Sequence, residues 1–237
     1  MKKFSLDNTF KPFHKVSKGN GRRLAIGDIH GHYFTFKALL DKIGLNKQDQ
    51  LFLLGDYIDR GKQGKEVLDF IIELIDNGYH IFPLRGNHEE MLLQSHKQNY
   101  DNAFLQLPVL KKSKGIRDDK RKIYPKYLRL LEKLPFYYEL DDFYLVHAGF
   151  DFFAPNPFEN YKQMIWIKDF KVNKKQTKGK TIIHGHHTLG LPTIINNIKQ
   201  KSIKTGIDNG VYSKKNNYGN LICLNLDTYK LTVQKHK

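Results

Sequence analysis

Five short segments of this 237-residue chain combine glycine with side chains that bind metal ions or phosphate. In chain order they are Gly27-Asp28-Ile29-His30-Gly31, Gly55-Asp56-Tyr57-Ile58-Asp59-Arg60-Gly61, Arg85-Gly86-Asn87-His88-Glu89, Val146-His147-Ala148-Gly149 and His184-Gly185-His186. Carboxylates, imidazoles and an amide oxygen are together the donors that a two-metal hydrolytic site needs. A single aspartate or histidine beside glycine would more often belong to a turn. Five such segments in one chain favour a metal site.

Each segment follows a short apolar run that is typical of a buried strand, such as residues 23–26, 50–54 and 80–84. Between these runs, residues 34–43 and 67–75 carry apolar side chains at helical spacing. This alternation predicts βαβ units with a largely parallel sheet. Ligands of open α/β sheets bind outside the carboxyl ends of the strands, so the five segments should converge on one edge.

The spacing of the donors suggests how two ions would share them. Asp28 and His30 are separated by one residue and can face the same ion, and Asp56 is placed to bridge. Asn87, His147 and one histidine of the His184-Gly185-His186 segment would complete the second ion. Mixed oxygen and nitrogen donors suit Mn, Fe or Zn better than a site made for Mg alone.

The rest of the chain predicts one domain with two additions. Residues 1–20 have no clear periodicity and are expected to form an N-terminal arm, and residues 100–135 a helical insertion that frames the substrate groove. Short strands are expected near 193–196, 203–206, 220–226 and 229–234. No linker is long enough to separate a second domain.

The formal net charge of +16 invites a nucleic-acid interpretation, but its composition does not support one. Lysines number 33 and arginines only 7, and arginine is the residue suited to bidentate recognition of bases and phosphates. We therefore expect a solvated lysine surface and no specific nucleic-acid binding. No apolar run approaches a membrane span, and no apolar stretch follows the charged N-terminus as in a secretory signal. The single cysteine, Cys223, suits a reducing compartment, so we expect a cytoplasmic protein.

The motif order GDIHG, GDYIDRG, RGNHE, VHAG and HGH resembles the calcineurin-like metallophosphoesterases. The GDYIDRG and GNHE forms are similar to the phosphoprotein phosphatase branch, which includes bacterial serine/threonine phosphatases and symmetrical diadenosine tetraphosphatases. The resemblance runs from about residue 23 to 186 and continues through residues 207–210. It implies a single α/β domain of the four-layer αββα sandwich type, with two divalent metal ions. Mn is the favoured metal, and Fe, Zn, Mg and Ni are alternatives.

The resemblance also implies ligand sets that include His186 and leave out His184 and His187. The first ion would be held by Asp28, His30 and Asp56. The second would be held by Asp56, Asn87, His147 and His186.

For catalysis, the resemblance implies that His88 protonates the leaving oxygen, that Asp59 orients His88, and that a hydroxide between the ions attacks phosphorus. Arg60 would hold two phosphate oxygens, and Asn87 would also contact the phosphate. Relatives often carry Trp-Ile-Arg where this chain has Trp166-Ile167-Lys168. Lys168 supplies charge at that position but not a two-pronged grip.

The expected reaction is hydrolysis of phosphate monoesters, foremost phosphoserine and phosphothreonine in proteins. A symmetrical dinucleoside polyphosphate hydrolase, which would release ADP from diadenosine tetraphosphate, is the alternative. A module that binds phosphorylated partners or polyanions without turning them over is a further alternative from a different class. The partners expected are thus a phosphorylated protein or a nucleotide substrate, without a membrane.

Overall fold

The computed structural model describes residues 10–97, 115–120 and 122–237, so the expected arm (1–20) and insertion (100–135) lie partly outside the described residues. The strands are β1 (Phe13–Lys15), β2 (Arg23–Ile26), β3 (Gln50–Leu53), β4 (His80–Pro83), β5 (Tyr137–Glu139), β6 (Phe143–Val146), β7 (Thr181–His184), β8 (Lys204–Gly206), β9 (Asn220–Asn225) and β10 (Leu231–Lys235). The helices are α1 (Tyr33–Ile43), α2 (Gly64–Asp76), α3 (Asn87–Lys97), α4 (Pro125–Lys133), α5 (Tyr161–Trp166) and α6 (Leu191–Lys199).

These strands form two five-stranded sheets. The first sheet has the order β10-β9-β2-β3-β4, and the second has the order β1-β5-β6-β7-β8. Strands β2, β3 and β4 are parallel, as the strand–helix alternation predicts, whereas β9 pairs antiparallel with β2 and β10 pairs antiparallel with β9. In the second sheet, β6, β7 and β8 are parallel.

The two sheets pack face to face between helices, which confirms the four-layer arrangement. Residues 51–53 of β3 are all apolar because both faces of the strand are buried. Leu51 and Leu53 face one core, and Phe52 faces the other. The Leu51 side packs against helices α1 to α4, and the Phe52 side lies between the sheets with Leu145 and Ile183 of the second sheet. On the outer face of the second sheet, α5 packs through a third core. The packing of these three cores positions the carboxyl ends of the strands in the two sheets relative to one another.

Residues 191–199 form a helix, so the expectation of a strand near 193–196 was wrong. Pro192 lies in the first turn of α6, where the missing N–H costs no hydrogen bond. Ile194 and Ile198 are one turn apart and are both buried in the core between the sheets. In the helix these two side chains lie on the same face, and that face packs on the core.

Asp49 ties the start of β3 to the residue before β2 and to the loop that follows α1. Its buried carboxylate accepts hydrogen bonds from the backbone N–H of Arg22 (3.1 Å), from Arg22 Nε (2.9 Å) and from the backbone N–H of Asn46 (3.1 Å). Burial by itself raises the pKa of Asp49, but the hydrogen bonds from Arg22 and Asn46 outweigh it and hold the pKa below its usual value.

We expect Asp49→Asn to lower the free energy of unfolding by about 1–2 kcal/mol at pH 7, because the hydrogen bonds lose an ionised acceptor and Arg22 is partly exposed. A carboxylate with a depressed pKa stabilises the fold above its unfolded pKa of about 3.9, and this contribution disappears as the pH falls through the folded pKa. The difference between variant and wild type should therefore be full at pH 7 and shrink below about pH 4. Urea unfolding at pH 7 and pH 3 measures it. Asp41→Asn, at an exposed position on α1, is the control, and an equal loss at both pH values would contradict the prediction.

None of the helices formed by residues 10–97, 115–120 and 122–237 combines the length and the apolar character that a bilayer crossing needs.

Candidate metal centre and phosphate site

The five motif segments meet at the carboxyl ends of strands from both sheets. The six side chains expected to bind metal ions follow β2, β3 and β4 in the first sheet and β6 and β7 in the second. All are buried except His186, which is partly exposed. They are Asp28, His30, Asp56, Asn87, His147 and His186.

A first group of donors surrounds His30. Its Nε2 lies 3.6 Å from Asp56 Oδ2 and 3.9 Å from Asp28 Oδ2. Its Nδ1 lies 3.0 Å from the carbonyl oxygen of Ile58, which can only accept, so Nδ1 carries the proton. The unprotonated Nε2 therefore faces the two carboxylates, as in a histidine oriented by a backbone carbonyl for metal binding.

A second group surrounds Asn87. Its Oδ1 lies 3.0 Å from His147 Nε2 and 3.0 Å from His186 Nδ1. His147 Nδ1 donates to the carbonyl oxygen of Leu54 at 2.7 Å, so its Nε2 is also an unprotonated donor to a cation. Asp56 Oδ1 is 3.5 Å from His147 Nε2. The two oxygens of Asp56 thus face separate groups, which is the geometry of a bridging ligand.

The electrostatics of these groups favour a bound cation. Burial, together with the negative charges of Asp208 and Asp56, raises the pKa of Asp28 well above its usual value. Burial likewise raises the pKa of Asp56 to about 8, against the opposing positive charge of His88. Burial lowers the pKa values of His30 and His147, which keeps both imidazoles neutral. Crowded carboxyls and neutral imidazoles are a donor set that fits divalent metal ions.

The backbone at the site is held in an uncommon conformation. Five non-glycine residues have left-handed φ values between 46° and 69°: His30, Asp56, Asp59, Arg60 and His186. Such strain persists only where surrounding contacts enforce it, and it clusters at functional sites. Gly86 and Gly185 permit the close packing, because a Cβ at either position would collide with a carboxylate oxygen of Asp56 or Asp28.

His88 and Arg60 lie beside the two donor groups. His88 Nδ1 is 2.6 Å from Asp59 Oδ2, and its Nε2 is 3.8 Å from Asp56 Oδ2. Although burial lowers the pKa of His88, the negative charge of Asp56 and the hydrogen bond to Asp59 raise it overall. The Arg60 side chain is exposed, and its guanidinium lies 4.2 Å from the ring centre of Tyr212. An imidazole with a raised pKa and a planar guanidinium thus lie beside the two donor groups.

The histidines of the last segment occupy different surroundings. His186 has a ring nitrogen in a group whose ligand atoms, with those of Asp56 and His147, lie within 4.8 Å of one another. His184 is buried instead against Phe170, with Nδ1 3.0 Å from the carbonyl oxygen of Gly185. His187 is exposed. Of these three neighbouring histidines, the structure thus places only His186 in a donor group.

Comparison with known proteins identifies the family to which a chain with this site belongs. Residues 21–221 match the calcineurin-like phosphoesterase family, over a range that contains all five motif segments. The chain belongs to this family.

Calcineurin-like phosphoesterases use divalent metal ions, and the donor set described above fits that requirement. The chain is 49% identical over 65 residues to a provisionally assigned serine/threonine-protein phosphatase of Caenorhabditis elegans, a match that covers 27% of this chain and 18% of that protein. It is 48% identical over 69 residues to the symmetrical bis(5'-nucleosyl)-tetraphosphatase of Wigglesworthia glossinidia brevipalpis, a match that covers 29% of this chain and 24% of that protein. The chain thus spans about a fifth to a quarter of the length of these curated relatives.

The fold of this calcineurin-like phosphoesterase is also found in solved structures. A protein serine/threonine phosphatase from Saccharomyces cerevisiae superposes with a TM-score of 0.66 at 15% identity, covering 97% of this chain and 84% of that one. At this identity the likeness concerns the fold alone. It agrees with the two-sheet arrangement expected from the motifs.

Glu89 is a residue of the phosphoesterase site to which the sequence reasoning assigned no role. Its side chain is fully buried, and its carboxylate accepts hydrogen bonds from the backbone N–H groups of Asp56 (2.8 Å), Tyr57 (2.9 Å) and Gly86 (3.0 Å). These bonds hold the left-handed turn that carries Asp56. The only signal in the sequence was the position of Glu89 directly after His88.

Asp208 lies in residues 207–210, the last segment that the resemblance covers. It is buried, and it accepts hydrogen bonds from Thr188 Oγ1 at 2.9 Å and from the backbone N–H of Gly210 at 2.7 Å. Its negative charge raises the pKa values of both Asp28 and Asp56. Asp208 therefore adds to the negative potential of the site.

Lys168 is exposed beyond the C-terminal end of α5 and lies near enough to His186 for its positive charge to lower the pKa of that imidazole. Burial is the main reason that the pKa of His186 falls to about 4. The positive charge of Lys168 is thus felt at the second donor group, through His186.

Proposed function

We propose that this protein is a metal-dependent phosphatase that hydrolyses phosphate monoesters, foremost phosphoserine and phosphothreonine in proteins. The observation that carries the proposal is the position of Asp56, whose two carboxylate oxygens face two separate donor groups. An arrangement of this kind suits two divalent ions bridged by one carboxylate.

The proposed ligands are those that the motifs indicated. Asp28, His30 and Asp56 would hold one ion, and Asp56, Asn87, His147 and His186 the other. The mixture of oxygen and imidazole donors favours Mn, with Fe, Zn, Mg and Ni as alternatives. When bound, the two ions supply Lewis acidity to the phosphoryl group and lower the pKa of the attacking water.

The protein's own side chains bind and orient the phosphate. Arg60 offers a planar fork of N–H donors that matches two phosphate oxygens. Asn87 can add a donor through its amide nitrogen, because its Oδ1 points into the group formed with His147 and His186. Lys168 would add a single positive charge near His186. Together these groups hold the ester between the metal ligands and His88.

His88 would supply the proton that the leaving oxygen requires. Its Nδ1 is held by Asp59 at 2.6 Å, so the ring is fixed with Nε2 directed toward the site. The carboxylate of Asp59 stabilises the protonated imidazole, which then gives the Nε2 proton to the departing alkoxide. Asp59 accordingly acts through His88 and does not need to touch the substrate.

A second candidate substrate class is the dinucleoside polyphosphates. The observation that favours it is the name of the Wigglesworthia glossinidia brevipalpis relative, a symmetrical bis(5'-nucleosyl)-tetraphosphatase that is 48% identical over 69 residues. The same metal ligands and phosphate clamp could act on a phosphoanhydride, because the atoms that they contact are again phosphate oxygens. The leaving group would then be a nucleotide in place of a protein hydroxyl.

Product analysis separates these candidates. The protein is incubated with Mn²⁺ and, in parallel, with phosphoserine and phosphothreonine peptides, p-nitrophenyl phosphate and diadenosine tetraphosphate. We expect inorganic phosphate from the peptides with a higher kcat/KM than for the dinucleotide, and no product after metal is removed by a chelator. ADP formed with the higher kcat/KM would establish the second candidate.

Absence of turnover with Mn, Fe, Zn, Mg or Ni would refute both enzymatic proposals. Tight binding of polyanions under those conditions would then indicate the non-catalytic module, for which the charge of +16 provides the attraction.

A further inference from the structure

Tyr212 lies against the phosphate clamp but belongs to none of the five motifs. Its ring centre is 4.2 Å from the guanidinium carbon of Arg60, within the range of a cation–π contact. The same ring meets His30 edge-on, with centroids 5.3 Å apart and planes at 76°. One aromatic side chain therefore contacts both the proposed phosphate-binding arginine and a proposed metal ligand.

Tyr212 and the residues before it are held in place by contacts with Thr188 and Asp208. Its hydroxyl is 3.5 Å from Thr188 Oγ1, which donates to Asp208 Oδ2 at 2.9 Å. The preceding residue, Val211, is fully buried, and Gly210 donates its backbone N–H to Asp208 Oδ1 at 2.7 Å. The segment that carries Tyr212 is thus anchored at three successive points before the ring reaches Arg60.

Arg60 needs such a support because its side chain is exposed and its backbone is left-handed, with φ of 55°. An exposed arginine samples many rotamers, and a fork that binds two oxygens works in one orientation. Stacking on a ring fixes the plane of the guanidinium and occupies its face, whereas its N–H donors lie along its edge.

We propose that Tyr212 is a positioning residue whose ring orients the Arg60 guanidinium toward the phosphoryl group of the substrate. The inference rests on the proposed phosphatase function, because it assigns Arg60 to phosphate. It makes the aromatic ring the important feature of Tyr212, since the ring and not the hydroxyl contacts Arg60.

The test measures the affinity of the Mn-loaded protein for inorganic phosphate by titration calorimetry, so no turnover is needed. Tyr212→Leu should weaken phosphate binding about three- to tenfold, because it removes the ring but keeps an apolar side chain. Tyr212→Phe should retain most of the affinity, because it keeps the ring and loses only the hydroxyl. Tyr212→Met replaces the Leu variant if that variant is unstable. Tyr79→Leu removes a ring that lies 5.8 Å from Lys47 and is the matched control at another cation–π pair.

The Arg60→Ala background completes the test. There, Tyr212→Leu should cause no further loss of phosphate affinity, because the side chain that the ring orients is already absent. Equal losses in both backgrounds, or equal losses for the Leu and Phe variants, would overturn the proposal, as would a wild-type protein that binds no phosphate. Metal content of each variant is measured in parallel, and a metal loss in Tyr212→Leu that accounts for the weaker binding would also overturn it.

The outcome is distinguishable from failure of the proposed function. A protein that binds phosphate through Arg60 and Tyr212 but turns over no ester would retain this inference and lose the enzymatic proposal. In an active enzyme, the Leu variant should raise KM more than it lowers kcat, since ground-state phosphate binding is what the stacked arginine provides.

Discussion

Asp56→Asn should abolish most of the phosphatase activity, with a loss of kcat/KM of at least about a thousandfold. Changing a residue that only supports a metal ligand already costs about 10- to 100-fold in affinity or activity, and Asp56 faces both donor groups directly. The amide removes the negative charge and one of the two oxygens. Steady-state kinetics on a phosphopeptide with added Mn²⁺ measure the activity, and elemental analysis measures the metal bound.

The fold should survive this substitution. An asparagine Oδ1 can still accept the hydrogen bond that His88 N–H donates to Asp56 Oδ1 at 3.1 Å, and the change removes a carboxyl group whose ionisation is opposed by burial and by the charges of Glu89 and Asp208. The metal-free variant should therefore unfold at the same temperature as metal-free wild type or at a higher one. Asp76→Asn, at an exposed position on α2, is the control. Full activity and two bound metal ions in Asp56→Asn would refute the bridging assignment.

His88→Asn should lower kcat by about 10²- to 10⁴-fold for substrates whose leaving oxygen must be protonated, such as phosphoserine peptides. The loss should be much smaller for p-nitrophenyl phosphate, because p-nitrophenolate departs without a proton near neutral pH. The ratio of the two losses reports the role of the Nε2 proton specifically. Turnover of both substrates by wild type and variant provides the measurement.

Asp59→Asn should show the same leaving-group dependence with a smaller loss, since it weakens the support at His88 Nδ1 but leaves the imidazole in place. His80→Asn changes a histidine at the beginning of β4, at the opposite end of that strand from the site, and should leave both rates unchanged. Equal losses on both substrates in His88→Asn would show that His88 acts in phosphate binding or in structure and not as the acid.

Much of the site could be predicted from the sequence because its chemistry is local. Asp28 and Asp56 come two or three residues after β2 and β3, and His147 comes directly after β6. The carboxyl ends of parallel strands share an edge, so residues at those positions converge whatever the details of the loops. The grouping of donors around Asp56 is of this kind, and the structure brings these residues together as the spacing indicated.

The supporting residues could not be predicted because they depend on contacts between distant segments. Glu89 holds the turn of Asp56 across 33 positions of the chain, and Tyr212 contacts Arg60 across a far larger separation. A glutamate at position 89 or a tyrosine at position 212 does not by itself indicate such a contact. Only the folded chain shows that a buried carboxylate and a half-buried ring face these partners.

The helix at residues 191–199 shows the same limit at the level of the fold. Four of its nine residues are apolar, and their order in the chain is compatible with either a short strand or a helix. In the folded chain the helix buries Ile194 and Ile198 on one face against the core between the sheets, a tertiary contact that the local pattern does not specify.

The sequence by itself determined which side chains could bind metal ions and phosphate, and that strand ends would carry them, because these properties follow from residue type and from strand–turn patterns. The tertiary structure alone decided that Glu89 holds the turn of Asp56, that His184 packs against Phe170, and that Tyr212 contacts Arg60. These are contacts between segments that are far apart in the chain or in different layers, and they exist only once the cores between and around the sheets set the distance from one segment to the next.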